Sequence, residues 1–323
     1  MIMSNSNWLQ LSSKTAIITG AGSGIGSAIA RAFAAQGCNT LLVDVHEENL
    51  HTSHHQCQNI ITKQQPIKPN SQKPWTYKFT CNVTDESQVK EMIKFADLKI
   101  EEHQMIESSC NESLHSQYAS ILVNAAGITR DGLIQNITEA DYDNVLDVNL
   151  KGTFLACQAF CASKRLDGLL GFDEKKRHNS SSKTCSGSII NIGSVVSQMG
   201  NVGQSNYGAS KGGVVGLTKA LAKEMAFYST SLHKKHSDSN DEDHNESFLH
   251  KSNIRVNAIL PGFIHSPMTE AVPVHIKERV REKISLKEFG EADDVANMAL
   301  FLASSRSSYV TGTAIECSGM IAL

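Results

Sequence analysis

The sequence predicts one α/β domain in which helices cover both faces of a parallel sheet. Six short runs are rich in Ile and Val, and most have a continuous apolar centre rather than alternating apolar and polar positions, which is typical of strands buried on both faces. Longer amphipathic stretches separate these runs. The repeated order of strand, helix and strand indicates a doubly wound architecture.

The predicted strands share short length and branched aliphatic side chains. They are 15–19, 39–44, 120–124, 188–192, 254–259 and 313–316. The clearest helical patterns between them are 26–36, 142–163 and 207–227. Each of these three has apolar residues at the three- and four-residue spacing of one helix face.

Four polar stretches interrupt this order, about residues 51–75, 98–118, 166–186 and 229–252. The last has the composition of a solvated or disordered loop. Insertions between core elements add little loop-closure entropy. Although 323 residues would allow two domains, we therefore expect a single domain over residues 1–323 with four insertions.

Composition excludes several classes of protein. Thirty Lys and Arg oppose 33 Asp and Glu, which argues against a nucleic-acid binder with a clustered basic face. No apolar run approaches the ~20 residues that span a bilayer. Eight scattered cysteines without a CxxC argue against a disulfide scaffold or a zinc ribbon. Residues 1–14 contain one base and no acid, which fits a polar lead-in better than an Arg-rich transit peptide.

A glycine-rich loop at residues 19–26 joins the first strand to the first helix. Glycine is needed there for the sharp turn, for close approach to a pyrophosphate and for helix–strand packing. The helix N-terminus adds free N–H groups that bind phosphate. The sequence therefore predicts a Rossmann dinucleotide site rather than a turn without a ligand. Its residues are Gly20, Ser23, Gly24, Ile25 and Gly26.

The second strand ends in Asp44, 18 residues after Gly26. A carboxylate at this point can bind the ribose hydroxyls of adenosine and would repel a 2′-phosphate. Residues 21–25 contain no Arg or Lys, and neither does the pair Val45 and His46. The sequence therefore favours NAD over NADP as cofactor, the alternative being a solvated acid at the end of a strand.

A second motif has the side chains of a proton-transfer site. Tyr207 and Lys211 are four residues apart and lie on one face of a predicted helix. A free tyrosine has a pKa of ~10. A nearby ammonium together with a nicotinamide ring favours the phenolate and lowers that pKa, which makes tyrosine a usable acid or base. Ser194, at the end of a predicted strand, is placed to hydrogen-bond a substrate carbonyl.

Together these motifs resemble the classical short-chain dehydrogenase/reductase family. The matching segments are TGAGSGIG at 19–26, NAAG at 124–127, the serine at 194, YxxxK at 207–211 and PGFI at 261–264. The resemblance implies that Tyr207 is the acid/base and that Lys211 binds the nicotinamide ribose and lowers the tyrosine pKa. It implies that Ser194 orients the carbonyl and that Asn149 anchors a proton-relay water.

The resemblance also implies the remaining cofactor contacts. Asn124 and Gly127 would flank the adenine-side ribose, and Ile264 and Ser266 would cover the nicotinamide amide. Asn82 stands where the family usually has aspartate beside the adenine, and Ser266 replaces the usual threonine. The other implied contacts are Val83, Ala125, Pro261 and Gly262.

Two segments, 200–207 and 260–269, resemble the 3-oxoacyl-carrier-protein reductase branch, and within it the type 8 17β-hydroxysteroid dehydrogenases. This implies NAD-dependent action on 3-hydroxyacyl/3-oxoacyl thioesters and on steroids such as estradiol or testosterone. It implies a tetramer in the mitochondrial matrix with a second, NADPH-using short-chain reductase. A homotetramer and a cytoplasmic location remain alternatives. Gly319-Met320 replaces a Gly-Gly pair in a segment that helps form subunit contacts in related tetramers.

Weaker signals have simpler interpretations. Five histidines (51, 54, 55, 233 and 236) lie in or near polar insertions and do not supply the convergent ligands that zinc needs, so we expect no metal. Cys157 and Cys161 fit buried thiols. The run at 175–177 could dock an acidic carrier protein, although such a run is usually solvated. A non-catalytic NAD-binding scaffold remains an alternative, but it would not need the four catalytic residues.

Overall fold

The computed structural model describes residues 8–63, 73–107, 118–162, 165–166, 169, 187–237, 254–270 and 272–321. They form a parallel sheet with the strand order β3-β2-β1-β4-β5-β6-β7. The strands are β1 (Thr15–Thr19), β2 (Asn39–Asp44), β3 (Thr76–Thr80), β4 (Ile121–Asn124), β5 (Gly187–Ile192), β6 (Ile254–Pro261) and β7 (Ala314–Cys317).

Helices cover both faces of the sheet, which confirms the predicted fold class. They are α1 (Gly24–Ala35), α2 (Glu47–Lys63), α3 (Glu86–Glu107), α4 (Glu139–Leu146), α5 (Gly152–Phe160), α6 (Val196–Met199), α7 (Ser205–Ser237), α8 (Pro267–Glu270), α9 (Val274–Lys283) and α10 (Ala292–Ala303). One apolar core packs α1, α2 and α10 on the sheet, and a second packs α3, α5 and α7 on its other face. Within the described part of the chain, no helix is both long and apolar enough to cross a membrane.

The strand order changes direction at β1, which lies between β2 and β4. Thr19 at the end of β1 pairs with Val43 on one side and with Asn124 on the other. The chain leaves β1 and β4 toward opposite halves of the sheet, so a crevice opens at the carboxyl edge between them. Ligands of open α/β sheets bind at such a switch point.

Strand β3 was absent from the predicted set. Its sequence, TYKFT, is half-buried at most positions, because β3 lies at the edge of the sheet. The prediction relied on runs with a continuous apolar centre, and an edge strand with Lys78 at its centre does not give that pattern.

The described residues at the start of the four predicted insertions are helical. Residues 51–63 belong to α2, whose buried side chains include Cys57 and Ile61. Residues 98–107 complete α3, and 229–237 belong to α7. Leu166 and Leu169 are buried in the second core. The polar composition of these segments reflects amphipathic helices with one solvated face. Apart from residues 73–75 and Tyr118, the rest of each predicted insertion lies outside the described residues.

The predicted helix 142–163 consists of three parts. Between α4 and α5 lies a π-helical turn, Asp147–Lys151, with Asn149 fully buried at its centre. Single π-turns inside α-helices occur most often at functional sites. Here the turn directs Asn149 toward the loop that follows β4.

Candidate active site

A cavity of about 400 Å³ opens at the carboxyl edge of the sheet beside the switch point. This volume lies within the range typical of small-molecule sites. The structure brings together most of the residues that the sequence singled out. Those lining the cavity are Gly20, Ser23, Gly24, Ile25, Gly26, Asp44, Asn82, Val83, Ala125, Gly127, Ser194, Tyr207, Lys211, Pro261, Gly262, Ile264 and Ser266.

The glycine-rich loop leaves no room for side chains at its tightest points. Gly20 has φ +67°, and a Cβ there would lie 2.6 Å from the Ala126 nitrogen. A Cβ on Gly26 would lie 2.0 Å from the Gly20 oxygen. Because of this close packing, the amino end of α1, which begins at Gly24, borders the cavity. A helix N-terminus reached through such a loop fits the pyrophosphate of a dinucleotide.

Asp44 holds its carboxylate at the cavity edge through two backbone hydrogen bonds. Gly22 N donates to Oδ2 at 2.8 Å, and His46 N donates to Oδ1 at 2.9 Å. A Cβ on Gly22 would lie 2.8 Å from Oδ2, so this approach requires glycine. Each carboxylate oxygen can accept more than one hydrogen bond, and Asp44 can therefore also accept from ribose hydroxyls.

Lys211 lies behind Tyr207 on α7, and its ammonium is buried. Its Nζ donates to the Ile192 oxygen at 2.9 Å and lies 5.7 Å from the centre of the Tyr207 ring. Burial lowers the pKa of Lys211 to about 8, because removal from water disfavours the charged form. The side chain is thus mostly protonated at neutral pH and has two further N–H donors beyond the one bound to Ile192.

The protein's own groups act on the pKa of Tyr207 in both directions. Burial raises the pKa of Tyr207, the hydrogen bond with Ser194 lowers it, and the charge of Asp131 raises it. The net direction is upward, and lowering of this pKa by Lys211 together with a bound nicotinamide ring stays a prediction. Removal of the phenolate from water outweighs the other contributions of the protein itself. At neutral pH the phenol therefore keeps its proton and is a hydrogen-bond donor.

Asn149 lies behind the cavity wall and is hydrogen-bonded to the segments around it. Its Oδ1 accepts from Ile128 N at 2.8 Å, and its Nδ2 donates to Ile128 O and to Ser210 Oγ, each at 3.0 Å. Asn149 thus joins the π-turn, the loop after β4 and α7. Ile128 lines the cavity in its place, and the anchoring of a water by Asn149 stays a prediction.

Asn124 does not line the cavity, which corrects its assignment beside the ribose. Its side chain is buried, and Nδ2 donates to Asn191 Oδ1 at 2.9 Å and to Cys157 Sγ at 3.3 Å. Successive side chains of a strand point to opposite faces, and that of Asn124 points into the core under α5. It connects β4 with β5, while the next residue, Ala125, reaches the cavity.

Two other predicted contacts have defined polar groups. Asn82 Oδ1 accepts from both N and Oγ1 of Thr84, so the group that Asn82 can offer to a ligand is its Nδ2 donor. Ser266 N donates to Thr269 Oγ1, which in turn donates to Ile264 O at 2.7 Å. These bonds hold the segment after β6 against the cavity.

Sequence reasoning missed several residues of the cavity wall. Most of them contribute backbone or apolar surface and carry no motif, although they directly adjoin predicted residues at strand ends. They are Val45, His46, Cys81, Ala126, Ile128, Val148, Ile192, Gly193 and Thr269. Their proximity to the ends of β2, β3, β4 and β5 was the available signal.

The weaker candidates lie away from this cavity. His54 is hydrogen-bonded to the Thr76 oxygen at 3.0 Å. Among the described residues, no group of three or more His, Cys, Asp or Glu is placed to hold a metal ion. Cys157 is buried, and burial raises its pKa. The basic run 175–177 and the side chains of the histidines at 233 and 236 lie outside the description.

Comparison with known families gives two matches. Residues 14–232 match the family described as short chain dehydrogenase. Residues 247–319 match the family described as enoyl-(acyl carrier protein) reductase. The first match covers more than half of the chain and includes both the glycine-rich loop and the Tyr207–Lys211 pair.

Two curated relatives are similar over nearly the whole length. A 3-oxoacyl-[acyl-carrier-protein] reductase FabG of Thermotoga maritima is 36% identical and covers 96% of this chain and 98% of its own. A (3R)-3-hydroxyacyl-CoA dehydrogenase of Homo sapiens is 32% identical, with 96% of both chains covered.

Solved structures show the same fold. A structure described as a gluconate dehydrogenase from Agrobacterium tumefaciens superposes with a TM-score of 0.69 at 23% identity, over 97% of this chain and 98% of its own. Another from the same organism, described as a 2-deoxy-d-gluconate 3-dehydrogenase, has a TM-score of 0.65 at 28% identity over 96% of both chains, and it contains bound NADP.

Proposed function

As a member of the short-chain dehydrogenase family, this chain is an oxidoreductase that uses a nicotinamide cofactor, and we propose that it interconverts 3-oxoacyl and 3-hydroxyacyl thioesters with NAD(H). The observation that carries this proposal is the convergence of Ser194, Tyr207 and Lys211 on the cavity that also contains the glycine-rich loop. A binding scaffold has no use for a buried ammonium behind a buried phenol, since each burial is unfavourable.

The side chains define a direction for proton transfer. When bound, the nicotinamide cofactor supplies a hydride to the carbonyl carbon or accepts one from the alcohol carbon. Tyr207 donates its proton to the carbonyl oxygen in reduction and takes it back in oxidation. Ser194, which lines the cavity with Tyr207, turns its hydroxyl to donate to the same oxygen and orients it. Lys211 provides positive charge that stabilises the phenolate left after reduction.

Asp44 supports NAD as the preferred cofactor. Its half-buried carboxylate is fixed at the cavity edge by Gly22 and His46, where it can accept from ribose hydroxyls and repel a 2′-phosphate. A related structure holds NADP, so the fold alone does not select NAD, and the proposed preference rests on this side chain.

The substrate class rests on the two curated relatives, one named for 3-oxoacyl carrier-protein thioesters and one for 3-hydroxyacyl-CoA. Ile128, Val148 and Ile192 line the cavity and provide apolar surface that suits an acyl chain. They suit a 17β-hydroxysteroid such as estradiol equally, so the assay below includes one. If the substrate is a carrier-protein thioester, an acyl carrier protein would bind this chain to deliver it.

We further propose a tetramer, formed with itself or with a second short-chain reductase. Tyr142 on α4 and Phe154 on α5 are 43% and 46% exposed, as expected for apolar side chains that pack against another subunit. Light scattering of the purified chain distinguishes the monomer from the tetramer. Location in the mitochondrial matrix is a proposal from the resemblance, with the cytoplasm as its alternative, and cell fractionation tests it.

Steady-state kinetics test the function. Purified protein is assayed with acetoacetyl-CoA plus NADH and with estradiol plus NAD, each repeated with the phosphorylated cofactor. We expect the thioester rate to exceed the steroid rate and NADH to be preferred. Steroid turnover alone would identify a hydroxysteroid dehydrogenase instead.

The matched control is Tyr207→Phe, which keeps the ring and removes the acid. It should abolish turnover while NADH fluorescence titration shows nearly unchanged binding. Wild-type protein that binds NADH tightly but turns over neither substrate would favour a scaffold subunit.

A further inference from the structure

The loop of residues 128–133, named here the β4 loop, is joined to the chain just before Tyr207 by a row of hydrogen bonds. Three successive loop residues take part, and their partners lie within four residues of one another. The bonds are Asn206 Nδ2 to Arg130 O at 2.9 Å, Gln204 Nε2 to Asp131 Oδ2 at 3.0 Å, and Gly132 N to Gly203 O at 2.8 Å.

Both sides of this row continue directly into the reaction site. Ile128, at the start of the β4 loop, lines the cavity and is held by the Asn149 amide. On the other side, Asn206 Oδ1 accepts from Tyr207 N at 2.7 Å. The row therefore sets the separation between the cavity wall and the phenol.

The side chain of Gln204 is fixed at both ends. Its Oε1 accepts from Asn201 Nδ2 at 3.0 Å while its Nε2 donates to Asp131, and its backbone oxygen accepts from Gly208 N at 2.7 Å in the first turn of α7. Rotation of the amide would lose both side-chain bonds. Asp131 is exposed, so its hydrogen bond contributes little to the stability of the fold. The effect of this hydrogen bond is on the position of the β4 loop.

We propose that Asp131, acting through Gln204, is a positioning residue for Tyr207. The pair holds the β4 loop against the amino end of α7, and the carboxylate adds a negative charge to the surroundings of the phenol. This inference rests on the proposed function, because it concerns the proton transfer performed by Tyr207.

The charge of Asp131 gives the proposal a signature that a purely structural bond would lack. Charged groups facing Tyr207 are Lys211 on its own helix and Asp131 on the β4 loop, whose charge raises the pKa of the phenol. Arg130, beside Asp131, donates to Thr129 O. Asp131→Asn keeps an acceptor for Gln204 and removes the charge. It should move the pH profile of kcat to lower pH by about 0.3 unit, a small shift because exposed charges are screened.

Variants of Gln204 test the geometry. Gln204→Ala removes the bond and should lower kcat about tenfold, since misplaced reacting groups lose rate, while KM stays within about twofold. Gln204→Glu places a second carboxylate against Asp131 and should lower kcat further than Gln204→Ala does. The double variant Asp131→Asn/Gln204→Glu restores a hydrogen bond in the reverse direction and should recover most of kcat. Glu101→Gln, which neutralises an exposed acid on α3, is the matched control and should leave kcat and KM unchanged.

Hydrogen exchange separates this proposal from the proposed function. Gln204→Ala should accelerate exchange in peptides covering 128–133 and 203–208, and the double variant should restore protection. This readout needs no substrate, so it decides on the positioning even if wild-type protein reduces no 3-oxoacyl thioester and the proposed function fails. Unchanged exchange in Gln204→Ala, or an unshifted pH profile in Asp131→Asn, would overturn the inference. Failure of the double variant to recover kcat and protection would overturn it too.

Discussion

Replacement of Asp44 by asparagine isolates the charge that we propose selects NAD. The asparagine occupies nearly the same volume and can still accept one of the two bonds from Gly22 N and His46 N. It loses the negative charge and one acceptor oxygen. We therefore expect weaker NADH binding and stronger NADPH binding in an otherwise intact cavity.

The magnitude follows from two contributions. A 2′-phosphate of about two charges held roughly 4 Å from the carboxylate is repelled by about 2–4 kcal/mol at an effective dielectric constant of about 40–80. Hydrogen bonds from ribose hydroxyls to a charged acceptor are worth about 1.5–3 kcal/mol. Even at the low end of both ranges, the preference for NADH over NADPH should fall by about two to three orders of magnitude.

Fluorescence titration of both reduced cofactors measures this preference without a substrate. Glu48→Gln, which neutralises an exposed acid in the first turn of α2, is the matched control, because it changes net charge equally beside the site. A preference in Asp44→Asn that stays within threefold of wild type would remove Asp44 from the selection of the cofactor. An equal loss of the NADH preference in Glu48→Gln would show that the net charge near the site, rather than Asp44 itself, sets the preference.

Three further predictions concern stability and the cofactor loop. Lys211→Met should abolish turnover and stabilise the protein against urea by about 1–3 kcal/mol at pH 7. Because burial lowers the pKa of Lys211 to about 8, only the unfolded wild-type chain keeps this proton between pH 8 and about 10.5, so the stability gained by the variant should shrink across that window. A difference in stability that does not change with pH would contradict this reasoning. Arg165→Ala should lower the free energy of unfolding in urea by about 3–5 kcal/mol, because the Asp97 carboxylate, bound by Arg165 at 2.8 and 3.0 Å, would lose its buried cation. A loss under about 1 kcal/mol would show that the pair is solvated. Gly26→Ala should abolish NADH binding in the fluorescence titration, because its Cβ would meet the Gly20 oxygen, and wild-type affinity would refute the steric account of the loop.

The sequence predicted the five strands that lie inside the sheet and β7 at one edge, and it missed β3 at the other edge. β1, β2 and β4–β6 are apolar because helices cover both of their faces, whereas β3 contains Lys78 and is half-buried. A similar physical difference explains the polar composition of the segments predicted as insertions. α2 and α3 bury only one face, so their average composition resembles that of a loop.

In the site, the sequence pointed to cavity-lining residues where the backbone itself restricts the residue. Gly20, Gly26 and the Tyr207–Lys211 spacing follow from turn geometry, close packing and helical periodicity, all of which are local. The direction of a side chain at a strand end is decided by its neighbours across the sheet. Asn124 carries the family motif, yet it points to Asn191 and Cys157, and no local pattern reveals that choice.

Gly127 shows how motifs far apart in the chain depend on one another. A Cβ at this position would lie 3.3 Å from both Asn149 Oδ1 and Lys211 Nζ. That separation is tighter than ordinary contact, so alanine would displace the amide that holds Ile128, the ammonium behind Tyr207, or both. The glycine after β4, the π-turn and the Tyr207–Lys211 pair therefore form one packing unit. Their co-occurrence in a sequence indicates an assembled reaction site more strongly than any one of them alone.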